Sequence, residues 1–179
     1  LSGQWGQTGY FGWSVSLSSY GNIVAIGAYR NNSFAGNVRV FENIGGSWTQ
    51  IGQDINGVGQ EKSGYSVSLS GDGSIVAIGA PNSIGNGSYS GRVRIYENLL
   101  GSWTQIGLDI DGPGQNADYF GESVSISSDG SVVAIGAPKN DVNGNNSGLV
   151  SIYENVSGLW YQVNQDIYAG LTNEQSGRA

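Results

Sequence analysis

The chain has no cysteine and no histidine. Without cysteine there is no disulfide framework and no thiolate metal site, so stability has to come from packing. Without either residue, the Ser-His and Cys-His nucleophile arrangements are absent. Proline is scarce, three in 179 residues, and charged side chains make up only 12%, which argues against long solvated helices. No apolar run approaches the roughly eighteen residues that span a bilayer. The first residues, LSGQWGQTGY, lack the basic start and apolar centre of a signal peptide, so an export signal would lie outside this sequence.

What is present points to an all-β protein. Glycine occurs 31 times, apolar residues make up 38% and aromatic residues 11%, a profile of many turns and well-filled sheets. Fourteen acidic side chains against seven basic ones leave a net charge of -7, which repels a phosphate backbone and excludes nucleic acid as the expected partner.

The sequence repeats itself. SVSLS, SVSLS and SVSIS begin at Ser14, Ser66 and Ser123, and each is followed by a glycine turn and then IVAIGAY, IVAIGAP or VVAIGAP. Two further phrases recur in order: GNVRVFEN, GRVRIYEN and GLVSIYEN, then SWTQIGQDI, SWTQIGLDI and LWYQVNQDI. The unit is about 55 residues long. SVSLS alternates, which puts Val15 and Leu17 on one face of a strand and the serines on the other. IVAIGA is apolar at consecutive positions and suits a central strand covered on both faces. The Asp72-Gly73 and Asp129-Gly130 pairs between them fit a tight type I′ hairpin. A third strand alternates Val38 and Val40 against Arg39, and a fourth opens with Trp48, Trp103 or Trp160. Four antiparallel strands per repeat make tandem β-propeller-like blades. The expected division is a start of the array at 1–11, blades at 12–63, 64–119 and 120–170, and a linker at 171–179 leading into a next repeat or a neighbouring subunit. A β-trefoil would also satisfy a count of twelve strands.

Gly12, Gly64 and Gly121 each stand fifteen residues before Gly27, Gly79 and Gly136, with Phe11 and Phe120 in front of two of the first set and Ala-Pro after two of the second. In this the chain resembles the FG-GAP repeat, similar to the blades of the integrin α-subunit propeller and of microbial or algal surface proteins, and the signals favour blades over the trefoil. The resemblance implies an extracellular or cell-surface place. Members of the family often carry an Asp-x-Asp-x-Asp-Gly calcium loop between the first two strands, but here that connection has shrunk to SSYGN, SGDGS and SSDGS. One Asp cannot supply the six to eight oxygens calcium takes, so no cofactor is expected there. A substitute oxygen pattern, Asp141, Asn143 and Asn145, lies in a later loop, where an Asx-rich turn is the plainer account.

No catalytic residue is assigned. Glu42, Glu97 and Glu154 share one slot, as do Asp54, Asp109 and Asp166, and residues that recur with the scaffold are explained by turn capping or by pairing with Arg39 and Arg94. A glycosidase-like carboxylate pair is the remaining enzymatic option. Trp48, Trp103 and Trp160 either pack between blades or stack on sugar rings. Asn31, Asn86, Asn145 and Asn155 open Asn-x-Ser sequons, which mark glycosylation sites or simply loops built of Asn, Gly and Ser.

Ala179 falls in register with Ser14, Ser66 and Ser123, and three blades leave sheet faces uncovered where propellers close with about four to eight. Further repeats or other copies of the chain are therefore the expected partners, in a fibre or surface layer, with no membrane span. The alternative is a carbohydrate- or protein-binding module that uses its aromatics or loops, and an enzyme ranks last.

Overall fold

The computed structural model describes residues 9–114, 117–168, 170 and 172–178. The expectations placed on residues 1–8, 171 and 179 lie outside these.

Three antiparallel sheets follow one another along the chain. The first contains β1 (Ser14–Leu17), β2 (Ile23–Gly27), β3 (Asn37–Ile44), β4 (Ser47–Gln50) and β5 (Ile55–Asn56). The second contains β6 (Ser66–Leu69), β7 (Ile75–Ala80), β8 (Arg92–Leu99), β9 (Ser102–Gln105) and β10 (Ile110–Asp111). The third contains β11 (Ser123–Ile126), β12 (Val132–Ala137), β13 (Leu149–Val156), β14 (Leu159–Gln162) and β15 (Ile167–Tyr168). Each sheet is a four-stranded blade whose fourth strand is broken. In the first, β4 pairs with the far half of β3 and β5 with the near half, so that Val38 faces Ile55 and Asn43 faces Trp48. The break falls at Gly52 (φ +73°), Gly107 (φ +71°) and Asn164 (φ +61°), a backbone conformation that no strand accommodates. One turn, α1 (Asn31–Phe34), interrupts the β structure, and Asn32 and Ser33 within it have left-handed φ/ψ.

The hairpin between the first two strands of each blade differs from the type I′ expectation. Ser70 and Ile75 close a four-residue loop in which only Gly73 has positive φ, and Gly21 and Gly130 repeat the pattern. Asp72 keeps ordinary φ, and its carboxylate caps the turn. It accepts the Ser70 hydroxyl at 2.7 Å and the Ser74 amide at 2.9 Å, and Asp129 does the same with Ser127 and Ser131. The first hairpin keeps the same backbone with Tyr20 in that slot, so the capping reinforces the loop and does not set its shape.

The apolar core lies between blades rather than within one. One cluster joins Ala25, Val38, Val40 and Ile55 of the first blade to Val67, Leu69, Val76, Ile78 and Trp103 of the second. The other joins Ala77, Val93, Ile95 and Ile110 to Ile126, Val133, Ile135 and Leu149, with Phe120 from the connecting segment. Each such aliphatic side chain contributes about 1.5–3 kcal/mol over its exposed state, so a blade without a neighbour forgoes much of its stability.

Candidate functional site

Successive blades meet through one repeated device. Ser14, Ser66 and Ser123 donate their hydroxyls to the carbonyls of Gly64, Gly121 and Gly177, at 2.9, 2.8 and 2.7 Å. Those carbonyls lie against Gly27, Gly79 and Gly136, so close that a Cβ there would stand 2.2, 2.0 and 2.1 Å from the oxygen. The inner strands are stitched as well: Leu69 N donates to Ser16 Oγ and Ile126 N to Ser68 Oγ. At the outer edge, Trp103 donates its indole N–H to the Ile51 carbonyl and Trp160 to that of Ile106. Gln53 closes the first of these junctions through both backbone groups of Trp103.

At the two ends of the array no neighbouring blade covers the strands among the described residues, and only the segment around Ser176 and Gly177 lies against the third blade. Val15 and Leu17 are 64% and 59% exposed, whereas their register mates Val67 and Leu69 are 8% and 6% exposed. At the other end Ile167 is 60% exposed, and its mates Ile55 and Ile110 are 4% and 5% exposed. Val150 and Ile152 are half-buried where Val93 and Ile95 are buried. The leading face of the first blade and the trailing face of the third are thus the two halves of the junction the chain already makes twice.

The tryptophans of the fourth strands divide by position. Trp103 is buried between blades, Trp160 is half-buried against Ile106, and Trp48, at the open end, is half-buried. The sequon asparagines also serve the scaffold. Asn155 accepts the Gly158 amide at 2.9 Å, as Asn43 and Asn98 do for Gly46 and Gly101. Asn86 donates its side-chain amide to the Gly112 carbonyl, Asn31 accepts the Asn32 amide, and Asn145 is exposed and accepts from Asn173 through its carbonyl. In the Asp141, Asn143, Asn145 loop, the Asp141 carboxylate accepts the Asn146 amide at 2.7 Å, the Asx-turn use. Among the described residues no three His, Cys, Asp or Glu side chains converge on a metal position.

Two of the recurring aspartates, Asp54 and Asp109, are held by arginines. Asp54 takes Arg39 Nη2 at 2.7 Å, and burial alone would raise its pKa, but hydrogen bonds from Arg39, Gln50 and Asn37 bring it below the usual carboxylate value. In the second blade Arg94 joins Asp109 at 3.0 Å to the buried Glu61 at 2.6 Å, and Arg92 joins Asp109 to Asp111. The third blade has Ser151 in the arginine slot. Its hydroxyl donates to Asp166, and the buried Asp118, in the slot of Glu61, is left with Asn140 at 2.8 Å. Burial, together with the nearby charge of Asp141, pushes the Asp118 carboxyl up. Asp118, Asp141 and Asp166 line one cavity of about 510 Å³.

Residues 103–153 match the FG-GAP repeat family model. This chain carries an FG-GAP repeat. The matched stretch runs from the fourth strand of one blade to the third strand of the next, and so straddles two blades. The glycines that name the repeat are the ones that meet across the junction: the Phe-Gly glycine offers its carbonyl where the Gly-Ala-Pro glycine has no Cβ. No curated protein sequence matches the chain. Among solved structures it is similar to a protein assigned as a 6-phosphogluconolactonase from Bacteroides uniformis (TM-score 0.60, 16% identity, 89% of this chain and 41% of that one). It is also similar to a periplasmic gluconolactonase from Pseudomonas aeruginosa (0.57, 17%, 87% and 39%). A third similar structure is the β-propeller domain of the trilobed protease from Pyrococcus furiosus (0.52, 12%, 90% and 43%). The chain spans about two fifths of these proteins, and at such identity the likeness shows the propeller fold.

Proposed function

We propose that this protein is a non-enzymatic structural or adhesive module of the extracellular or cell-surface kind, which assembles through the ends of its blade array. The partner is another copy of the chain or a further repeat of the same register. The observation that carries this reading is the contrast between Val15 and Leu17, largely exposed, and Val67 and Leu69, buried by the preceding blade. A face that is apolar, flat and matched to a second face on the same molecule makes a heterologous contact, and such contacts propagate into rings or filaments. The lactonase neighbours supply a fold and no chemistry for this chain, which has neither histidine nor cysteine and whose recurring acids are engaged by arginines or serines.

Electron microscopy of the purified protein at high concentration tests the reading. Filaments, rings or sheets with a blade-sized repeat support it, and discrete particles of single-chain size contradict it.

A further inference from the structure

The seven basic side chains are unevenly placed. Arg39, Arg92 and Arg94 are held in the ion pairs described above. The other four, Arg30, Lys62, Lys139 and Arg178, gather at the edge where the Gly-Ala-Pro exits meet the connecting segments. Arg30 and Lys62 both lie over the Tyr29 ring, 5.9 and 5.8 Å from its centroid. Lys62, Lys139 and Arg178 line one cavity of about 270 Å³ together with Tyr65, Tyr119 and Asn82. Among the described residues only Arg178 has a carboxylate in ion-pair reach, Glu122 at 4.0 Å. In a chain of net charge -7, four of the seven cations gather at this edge, and Glu122 lines the same cavity. Burial, with the neighbouring Arg30 charge, lowers the Lys62 pKa, and Glu122 opposes the shift.

Two further features belong to the same edge. Arg30 Nε and Asn82 Oδ1 are buried and have no hydrogen-bond partner among the described residues. The aromatic side chains there are also locked in place. Trp13 packs edge-on to Tyr29 at 4.8 Å and leans on Tyr65 at 5.5 Å, while Tyr10 meets Arg30 and Tyr119 meets Lys139 as cation–π pairs at 4.6 and 4.4 Å. Tyr10 and Trp13 nevertheless remain 46% and 47% exposed.

We propose that this edge binds an anionic polysaccharide, a chain of sugar rings bearing carboxylate or sulfate groups. The cations take the acidic groups, and the exposed parts of Trp13 and Tyr10 pack on the apolar face of a pyranose. Single-stranded DNA, another polyanion with rings that can stack, is the competing occupant that the experiment decides.

Affinity electrophoresis in gels containing polygalacturonate, dextran sulfate, neutral dextran or single-stranded DNA tests this. Retardation by polygalacturonate or dextran sulfate, weakened by added salt and absent with neutral dextran, is the expected result, and the stronger of the two polymers identifies the acidic group. A Lys62→Ser, Lys139→Ser variant that unfolds at the wild-type temperature should bind on the order of tenfold or more weakly. Lys139→Arg should bind as the wild type does. Trp13→Ala should weaken both acidic polymers alike. No retardation by either acidic polymer, equal retardation of wild type and the double lysine variant, or single-stranded DNA bound as strongly as the better polysaccharide would each overturn the proposal. These readouts are independent of whether the blade ends assemble.

Discussion

The hydroxyl of Ser66 donates to the carbonyl of Gly121 at 2.8 Å, across 55 residues of chain and from one blade to the next. The same oxygen lies against Gly79, so one carbonyl reads both the serine that opens a blade and the glycine that ends its second strand. The motif glycines are therefore a junction requirement, and the first prediction follows from their contact distance.

Gly79→Ala puts a Cβ about 2 Å from the Gly121 oxygen, a backbone atom that cannot swing aside. The expected cost is about 3 kcal/mol or more in urea unfolding, because two blades must separate to relieve the overlap. Gly45→Ala, with open space around it but φ of +59°, should cost only about 1 kcal/mol.

The three fourth-strand tryptophans should respond in order of their neighbours. Trp103→Ala empties a buried site between blades and removes the bond to Ile51, at an expected cost of about 3–5 kcal/mol. Trp48→Ala, at the open end, should cost about 1 kcal/mol or less in dilute protein. Equal losses at the two positions in dilute solution would contradict the junction account.

Arg94 holds Glu61 and Asp109 together in a site where Glu61 is 5% exposed. Arg94→Met should destabilise by about 3 kcal/mol, since it leaves a buried carboxylate without its cation. Adding Glu61→Gln to that variant should recover part of the loss, a coupling measurable in a double-mutant cycle.

The acid limb of stability should carry two opposite contributions. Asp72 is held below the usual carboxylate value by the Ser74 amide and the Ser70 hydroxyl, and Asp129 is brought down to about 2 by Ser127 and Ser131. Depressed groups stabilise the fold above their unfolded pKa and lose that contribution as pH falls through the folded one, so stability should drop between about pH 4 and 2. Asp118 is raised, which penalises the fold at neutral pH and leaves no penalty once the carboxyl is protonated. Asp118→Asn should therefore raise the melting temperature at pH 7, with a gain that shrinks as pH falls towards 4. A gain that grows on acidification would contradict the assignment.

Much of this architecture was legible because its signals are local and recur in register. The alternation of SVSLS and the unbroken apolar run of IVAIGA correspond to inner and central strands, with pairs such as Val67 to Ile78 and Leu69 to Val76. The turn was misread in detail. Asp72-Gly73 matches a type I′ dipeptide, but the loop is four residues long in all three copies, the first with Tyr20 in place of Asp. The broken fourth strand had a visible mark, Gly52 and Gly107 after the tryptophans, which lost its meaning in the third copy because Asn164 takes the same conformation. Asn155 shows how a sequon and a hairpin residue can coincide, since Asn43 and Asn98 do its structural work without a sequon. The basic edge was invisible along the chain. Arg30, Lys62, Lys139 and Arg178 are separated by whole strands, and only stacking of the blades brings their connecting segments to one edge.

Sedimentation velocity over a wide range of protein concentrations, on the wild type and on Leu17→Asp, tests assembly through the blade ends most directly. Leu17 is exposed in the single chain, so the substitution should leave its fold and melting temperature nearly unchanged while placing a charge on the face that Leu69 buries one blade later. The account predicts that wild type sediments as growing oligomers with concentration and that Leu17→Asp remains a single chain. Wild type that stays a single chain throughout, or a variant that assembles equally well, would contradict it.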